Sequence, residues 1–487
     1  MIRNYLTKTL PILSALCLLA AASPFGVAEG AVSDSRSVDS VSSYGKTNPG
    51  GTKDSAGTKK RESASEGKKD KKEKNAKNAK NAKQKKSVAA SAGKKPANKG
   101  RGREDKGELV IRAGLFKGKT SVVAVSGEAM IIRDDNSWAE LFRTKAEIPV
   151  TIAAKGGNFT INGKDVQAKK IRFTFADTRP SSHITVDGGG YRGEIVLSMA
   201  KGGSFTVVNE VKMDDYIGGV VTKEMSPDWP FEALKAQAVA ARTFAAYSLK
   251  RHEEEGFDVC SSTHCQVYGG IKAESPSGLR AVSATRGEVM TYQNAPIYAA
   301  FHASSGGMTA GSEENSGTAL PYLVAVKDPQ DDATPNRHWQ VKLSARELSA
   351  KLRAAGFPVG DILAVELTPL HIGKSASDRY PSGRVKEARF IGARGSVAVP
   401  GPKLRTILSL PGTLFEIRVG ENQKNVPNKE TRITLKKRNN EILIFDGWGR
   451  GHGIGMAQWG ARNMAGKKKY RDILNHYYTN VETKWLF

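Results

Sequence analysis

Hydrophobic and polar positions divide the chain into three stretches of different character. An apolar run lies near the N-terminus, at residues 10–22. Residues 31–107 are almost entirely polar, small or basic. From residue 109 onward, apolar positions alternate with polar ones or recur at helical spacing, which is the pattern of a folded domain. We therefore predict three segments, at residues 1–30, 31–107 and 109–487.

The first segment has the features of a secretory signal peptide. Arg3 and Lys8 precede the apolar run, and small residues follow it around Ala28. The run is shorter than the roughly 20 apolar residues that a membrane-spanning helix needs. We predict that residues 1–30 direct export, so that the protein acts in the periplasm or cell envelope. The signal is then either cleaved or retained as an anchor.

Residues 31–107 predict a disordered basic linker, because they offer too little apolar surface to offset the entropy of ordering. Residues 52–106 contain 17 Lys and 3 Arg against 7 acids, a net charge of +13 out of +26 for the whole chain. This stretch has no aromatic residue to stack on bases, so nucleic acid is not an expected partner. Anionic envelope polymers or lipid head groups are the expected partners. A solvated spacer is the alternative.

The folded segment predicts an α+β architecture. Short alternating runs, separated by turns that contain Gly and Asn, predict a β-rich part at residues 109–208. Two helical patterns and further mixed elements follow at residues 209–487, including a helix near residues 344–355. Runs of strands with clustered helices favour α+β over a doubly wound sheet. The predicted strands of the first part are 109–112, 121–125, 129–132, 148–152, 171–175, 184–186, 194–197 and 205–208.

The first helical pattern places an acidic residue on an apolar face. Ile217, Val220 and Val221 lie at i, i+3 and i+4, and Glu224 follows at i+7. Removal from water raises the pKa of a carboxyl group, and a carboxylic acid that stays protonated near neutral pH can act as a general acid. Glu224 is therefore a candidate catalytic residue. The alternative is that it closes the helical stripe at the edge of the core.

The second helical pattern contains a basic residue within an apolar stripe. Pro230 suits the first turn of a helix, and apolar residues recur at helical spacing from Phe231 to Leu249. Arg242 lies in the middle of this stripe. Because a buried guanidinium is costly without an anionic partner, Arg242 either pairs with an acid in the core or lines a site for a polar ligand.

A glycine-rich stretch at residues 447–460 follows a predicted strand and precedes a predicted helix. No register of it gives G-x-G-x-x-G, and an exported chain has no obvious supply of NAD, so a dinucleotide site is not predicted. Alternating glycines indicate backbone that is tightly packed or closely approached by a ligand. His452, Gln458 and Trp459 would then present the polar and aromatic groups that sugar-binding clefts use.

Cys260 and Cys265 are the only cysteines after the predicted signal peptide. Export favours a disulfide that closes a tight loop between them. Alternatively, the two thiolates and His264 would ligate zinc, with His252 as a further candidate ligand.

Five motifs follow one another along the folded segment: DYIGGVVTKEM (215–225), ALKAQAVAART (233–243), THCQVYG (263–269), FHASSGGMT (301–309) and GHGIGMAQWGA (451–461). Together they resemble the signature of the SpoIID/LytB family of bacterial sporulation and cell-wall proteins, and the resemblance covers roughly residues 109–487. Trp459 stands where Tyr is more usual in the family, and Ala457 where Ser is more usual.

The resemblance implies a lytic transglycosylase that cuts peptidoglycan between N-acetylmuramic acid and N-acetylglucosamine, on strands stripped of stem peptides. It implies that Glu224 is the catalytic acid and base, that Arg242 supports the site, and that the cysteine loop binds zinc in some members. No cofactor is required for the reaction. Polar residues expected to orient the sugar are Gln237, His302, Ser305, His452 and Gln458.

The chemistry is compatible with a single catalytic carboxyl group. Most glycosidases need two carboxylates, but here the C6 hydroxyl of the sugar would be the nucleophile, and its tethering replaces water activation. The LytB branch of the family supplies the rival hypothesis, in which the protein binds glycan without cutting it and stimulates a cell-wall amidase.

Overall fold

The computed structural model describes residues 108–335, 337–420, 431–436 and 440–486. The predicted signal peptide (1–30) and the predicted linker (31–107) lie outside the described residues. Among the residues that are described, none of the helices combines the length and the apolar character needed to span a membrane.

The described elements are mixed α and β. The helices are α1 (Met213–Glu224), α2 (Phe231–Tyr247), α3 (Pro276–Ala284), α4 (Glu313–Ser316), α5 (Ala345–Ala354), α6 (Gly401–Leu408), α7 (Gln458–Met464) and α8 (Tyr470–Tyr477). The strands up to the first helix are β1 (Val110–Lys119), β2 (Ser121–Val125), β3 (Met130–Asp134), β4 (Glu140–Arg143), β5 (Val150–Lys155), β6 (Asn158–Ile161), β7 (Lys164–Val166), β8 (Lys170–Phe175), β9 (Ile184–Val186), β10 (Gly189–Tyr191), β11 (Glu194–Met199) and β12 (Phe205–Lys212). The later strands are β13 (Val259–Cys260), β14 (Glu288–Tyr292), β15 (Ala295–Pro296), β16 (Phe301–His302), β17 (His338–Ser344), β18 (Ile362–Glu366), β19 (Glu387–Gly392), β20 (Gly395–Pro400), β21 (Leu414–Val419), β22 (Arg432–Thr434), β23 (Ile442–Trp448), β24 (Met456–Ala457) and β25 (Glu482–Trp485).

The first twelve strands form two sheets. The larger has the order β13-β1-β12-β11-β8-β3-β4, and the other has the order β10-β9-β2-β5-β6-β7. Two-residue turns with positive φ at both positions close the hairpins of the second sheet, as the twist of antiparallel strands requires. These turns are Gly156-Gly157, Asn162-Gly163 and Asp187-Gly188.

All eight strands predicted for residues 109–208 are present, although β1 ends at Lys119 rather than at residue 112 and β12 ends at Lys212 rather than at residue 208. Four short strands of that part were not predicted: β4, β6, β7 and β10. The helix predicted near residues 344–355 is confirmed, and Ser344 closes its first turn in a capping box with Glu347. The mixed α and β composition agrees with the predicted class.

Two hydrophobic cores organise these elements. The larger core extends across the predicted boundary at residue 208, because it joins the two sheets to α1, α2 and the segments around Ile454 and Tyr478. The smaller core is built from residues 339–445 around Leu348, Phe390 and Phe445. The segment that carries the smaller core is thus inserted between two parts of the chain that share the larger one.

Candidate active site

Glu224 is the last residue of α1, and the apolar stripe of that helix is buried as its spacing predicts. Ile217, Val220 and Val221 are fully buried, whereas Glu224 lies partly buried at the end of the same face. The backbone N–H of Val267 donates to Oε1 of Glu224 at 3.3 Å. Burial raises the pKa of Glu224, although hydrogen bonds from Val267 and Gln458 oppose this shift by stabilising the carboxylate.

Gln458, the first residue of α7, connects Glu224 to α2. Its side-chain amide hydrogen bonds to the Glu224 carboxyl group and donates from Nε2 to Oε1 of Gln237 at 3.4 Å. Gln237 is fully buried, and its Nε2 finds no hydrogen-bond partner within the described part of the chain. The structure therefore brings three of the predicted residues together, and the buried Nε2 of Gln237 is left without a hydrogen-bond partner among the described residues.

Arg242 lies away from this group and pairs with an acid in the core. Its Nε donates to Oδ1 of Asp214 at 2.7 Å, and its terminal nitrogens donate to the carbonyls of Glu288 and Val282 at 3.1 and 3.4 Å. Asp214 and Glu224 stand at opposite ends of α1, about 15 Å apart along the helix axis at the usual rise per residue. Of the two alternatives that the sequence left open for Arg242, the structure shows the core ion pair.

His302 and His452 face each other with ring centroids 5.5 Å apart. Nδ1 of His302 hydrogen bonds to the carbonyl of Ile454 at 3.1 Å, and Nδ1 of His452 accepts from the N–H of Ile454 at 3.0 Å. Burial lowers the pKa of His302 well below its usual value and lowers that of His452 to about 4. Both rings are therefore neutral near neutral pH, and they hold the glycine-rich segment against β16.

The alternating glycines of residues 449–455 are required by close backbone packing. A Cβ at Gly455 would lie 2.0 Å from the carbonyl oxygen of Ala300, and one at Gly449 would lie 2.8 Å from the amide nitrogen of Gly306. The tight-packing alternative for this stretch is therefore confirmed. The close packing of residues 449–455 fixes the segment that leads into α7, and Gln458 at the start of α7 then lies beside Glu224.

Ser305 belongs to a buried network in the loop that follows β16. Its hydroxyl donates to Oδ2 of Asp328 at 2.9 Å and accepts from the N–H of Gly307 at 3.1 Å. Burial raises the pKa of Asp328 to about 6, with a further contribution from the Asp331 carboxylate, while the Ser305 hydrogen bond acts in the opposite direction. Because both hydrogen-bonding roles of its hydroxyl are satisfied inside the loop, Ser305 fixes the loop rather than facing a ligand.

The cysteine loop forms a compact cluster with two histidines. Cys260 and Cys265 are not joined in a disulfide, and their sulfurs lie with ring nitrogens of His252 and His264 so that all four ligand atoms fall within 4.8 Å of one another. Sγ–N distances are 3.6 Å from Cys260 to His264, 3.6 Å from Cys265 to His264 and 3.4 Å from Cys265 to His252.

These distances fit a tetrahedral zinc ion. With Zn–S near 2.3 Å and Zn–N near 2.0 Å, the ligand atoms of such an ion lie about 3.5 Å apart. His252 turns Nε2 toward the cluster and hydrogen bonds through Nδ1 to Oε1 of Glu255 at 2.6 Å. A carboxylate on the second ring nitrogen is the usual means of orienting a zinc-ligating histidine. Glu255 is a residue that the sequence did not single out.

A family model described as "Stage II sporulation protein" matches residues 201–292, which contain α1, α2 and the cysteine loop. An uncharacterized protein of Brachyspira hyodysenteriae is 36% identical over 302 residues, which is 61% of this chain and 73% of that one. Stage II sporulation protein D of Bacillus amyloliquefaciens is 32% identical over 292 residues, covering 56% and 75% of the two chains. The amidase enhancer of Bacillus subtilis is 29% identical over 404 residues, covering 74% of this chain but 53% of its own length.

These matches define the class of the protein. The chain belongs to the SpoIID/LytB family of sporulation and cell-wall proteins.

Proposed function

We propose that the protein is an exported lytic transglycosylase that cleaves peptidoglycan glycan strands, with Glu224 as the single acid and base. The observation that carries this proposal is the setting of Glu224. Its carboxyl group is partly buried with a raised pKa, and it has two hydrogen-bond donors placed to stabilise the ionised form. A group that alternates between the acid and the carboxylate needs both features.

In the first half of the reaction, Glu224 donates its proton to the glycosidic oxygen between N-acetylmuramic acid and N-acetylglucosamine. The bond from that oxygen to the anomeric carbon breaks, and the oxygen leaves as the 4-hydroxyl of N-acetylglucosamine. The N–H of Val267 and the amide of Gln458 then stabilise the carboxylate that remains.

In the second half, the C6 hydroxyl oxygen of the same muramyl sugar bonds to its anomeric carbon. The carboxylate of Glu224 accepts the hydroxyl proton, which restores the starting acid. The products are a 1,6-anhydromuramyl end and a new non-reducing end. Because the nucleophile belongs to the substrate, the site needs no second carboxylate to activate water.

Two buried residues of the site would hold the Glu224 carboxyl group in place beside the sugar. Gln458 hydrogen bonds to that carboxyl group and is itself held by Gln237. Arg242, His302, His452 and Ser305 would act indirectly, because their hydrogen bonds hold the helices and loops that frame the site.

We propose a structural metal in addition. His252, Cys260, His264 and Cys265 would hold a zinc ion with four protein ligands, a closed site that fixes a loop and offers no open position for chemistry. Zinc is then not a cofactor of the cleavage step.

A second candidate function follows from the relative named amidase enhancer. In that case the domain would bind glycan and stimulate a cell-wall amidase without cutting the strand. Residues 31–107 would contribute in either case, by binding anionic envelope polymers or lipid head groups. Deletion of the linker should weaken retention on cell walls and leave cleavage by the folded domain intact.

The nature of the new chain ends separates the two functions. Purified protein is incubated with peptide-free glycan strands, and the products are reduced with borohydride and analysed by mass spectrometry. A transglycosylase yields 1,6-anhydro ends, which borohydride does not reduce. A pure enhancer yields no new ends but accelerates a cell-wall amidase added to intact peptidoglycan, and that pair of results would overturn the proposal.

A further inference from the structure

Trp229, Trp459 and Arg462 form a stack at the surface near Glu224. The indole rings lie 4.8 Å apart between centroids at an interplanar angle of 57°. The guanidinium carbon of Arg462 lies 5.0 Å from the Trp459 ring and 5.8 Å from the Trp229 ring. All three side chains are partly exposed, so parts of both indoles and of the arginine reach solvent.

The stack is built on the elements that carry the candidate catalytic group. Trp229 follows the end of α1 by five residues, and Trp459 and Arg462 belong to α7. On α7, Gln458 and Arg462 are at i and i+4 and share a face of the helix. Arg462 therefore lies one helical turn from Gln458, whose side chain hydrogen bonds to Glu224.

Within the described part of the chain, Arg462 has no anionic partner. Its NH1 group donates to Oδ1 of Asn463 at 3.0 Å, and no ion pair among the described residues includes it. Its Nε atom is buried and has no hydrogen-bond partner within the same residues. Arg471, by comparison, pairs with Glu288 at 3.1 Å. An arginine that lies against two indoles and has no carboxylate among the described residues on its terminal nitrogens is suited to bind a planar anion from outside.

We infer that Trp229, Trp459 and Arg462 form a subsite that recognises the free lactyl carboxylate of muramic acid, and that Arg462 determines the preference for peptide-free strands. This inference rests on the proposed action on glycan strands and adds a residue to it. When a stem peptide is attached, the lactyl group is an uncharged amide. When the peptide has been removed, the same group is a carboxylate that can accept two parallel hydrogen bonds from a guanidinium. The indole faces would contact the sugar ring.

Binding can be measured without turnover in the Glu224→Gln protein. The probes are two peptide-free glycan tetrasaccharides, one with free lactyl carboxylates and one in which each carboxylate has been converted to its primary amide. By isothermal titration, Arg462→Gln should weaken binding of the acid form about tenfold, equivalent to about 1.4 kcal/mol, and leave binding of the amide form unchanged within about twofold. Arg462→Lys keeps the positive charge but lacks the two parallel N–H donors of a guanidinium. Its affinity for the acid form should therefore lie between those of Arg462→Gln and the parent protein.

Arg133→Gln is the matched control. Arg133 also stacks on an indole, with its guanidinium carbon 5.5 Å from the Trp138 ring, but it belongs to β3 in the N-terminal sheets. This variant removes the same charge and should bind both probes as the parent does. Thermal unfolding of each variant checks that the fold is retained.

The outcomes distinguish this inference from the proposed reaction. Equal losses on the acid and amide probes, or no loss on either, would overturn the role of Arg462 even if wild-type protein produces 1,6-anhydro ends. Conversely, a loss confined to the acid probe supports the subsite even if the wild-type protein cuts no strand.

Discussion

The backbone N–H of Val267 donates a hydrogen bond to Glu224, and Val267 stands only two residues after Cys265. The loop that carries the cysteine–histidine cluster therefore also positions one of the two donors to the catalytic candidate. Gln266 lies between Cys265 and Val267 in the chain. Its Nε2 donates a hydrogen bond to the carbonyl of Ala241, and its Oε1 accepts one from the hydroxyl of Tyr216. A distortion of the cluster would thus reach the site through three residues of main chain.

Occupancy of the cluster by zinc should be measurable in the purified protein. We expect about one zinc per chain by elemental analysis, and a lower midpoint of thermal unfolding after chelation, because binding to the folded state stabilises it. Cys260→Ser should lower the midpoint similarly and make it insensitive to the chelator. An intact mass lower by two hydrogens, with no bound zinc, would instead show a disulfide between Cys260 and Cys265.

Arg242 should contribute to stability rather than to the chemical step. Arg242→Met leaves Asp214 without its buried partner and frees two carbonyl groups, so the free energy of unfolding in urea should fall by about 3 kcal/mol. The comparison change Arg471→Gln removes a half-exposed guanidinium from Glu288, which keeps the Tyr470 hydroxyl as a donor, so it should cost less than about 1 kcal/mol. If Arg242→Met unfolds at the wild-type urea concentration yet cuts no glycan, Arg242 acts in catalysis.

The buried histidines should make the folded state sensitive to acid. The pKa of His452 is lowered to about 4, so the unfolded chain binds more protons than the folded one between about pH 6.5 and pH 4. Stability should therefore fall as the pH is lowered through that window, by at most about 1.4 kcal/mol per pH unit for this one group. His452→Gln, which cannot take up the proton, should show a shallower slope in urea titrations at several pH values. If the unfolding free energy of His452→Gln varied with pH as steeply as that of the wild type, a group other than His452 would be responsible for the proton uptake.

Neutralising Glu224 should stabilise the fold at neutral pH. Burial raises the pKa of Glu224, so the folded state favours the protonated form, and that contribution is lost as the pH rises through the folded-state pKa. Glu224→Gln should therefore raise the free energy of unfolding at pH 7, and the gain should vanish as the pH falls below the pKa of the unfolded chain. A gain that is constant across pH would show that Glu224 has an ordinary pKa.

The sequence predicted which residues share a face of one helix in this site, but not which residues from distant parts of the chain contact one another. The spacing of Ile217, Val220 and Val221 is a property of a single helix, and it correctly predicted that Glu224 would share their face and lie partly out of water. Gln237 and Gln458 are 221 positions apart, and no periodicity reports that their side chains touch. The buried pairing of Arg242 with Asp214 likewise depends on how α1 packs against α2.

The same limit applies to the fold. Long alternating runs were predicted well, whereas strands of three or four residues such as β6 (Asn158–Ile161) and β7 (Lys164–Val166) carry too few positions to show a period. The insertion of the smaller core was missed for a related reason. Apolar residues of 339–445 have the same pattern as those on either side, so only the contacts separate the two cores.

In the proposed reaction one carboxyl group performs both proton transfers, and Glu224→Gln removes that group alone. The amide keeps the shape of the side chain and can still accept a hydrogen bond from the N–H of Val267, but it cannot supply a proton. Peptide-free strands are incubated with wild type, Glu224→Gln and the control Glu194→Gln, which alters another carboxyl group with a raised pKa, in β11. We expect 1,6-anhydro ends from the wild type and the control and none from Glu224→Gln, which should still bind the strands. Undiminished release of anhydro ends by Glu224→Gln would show that Glu224 is not the catalytic acid and base.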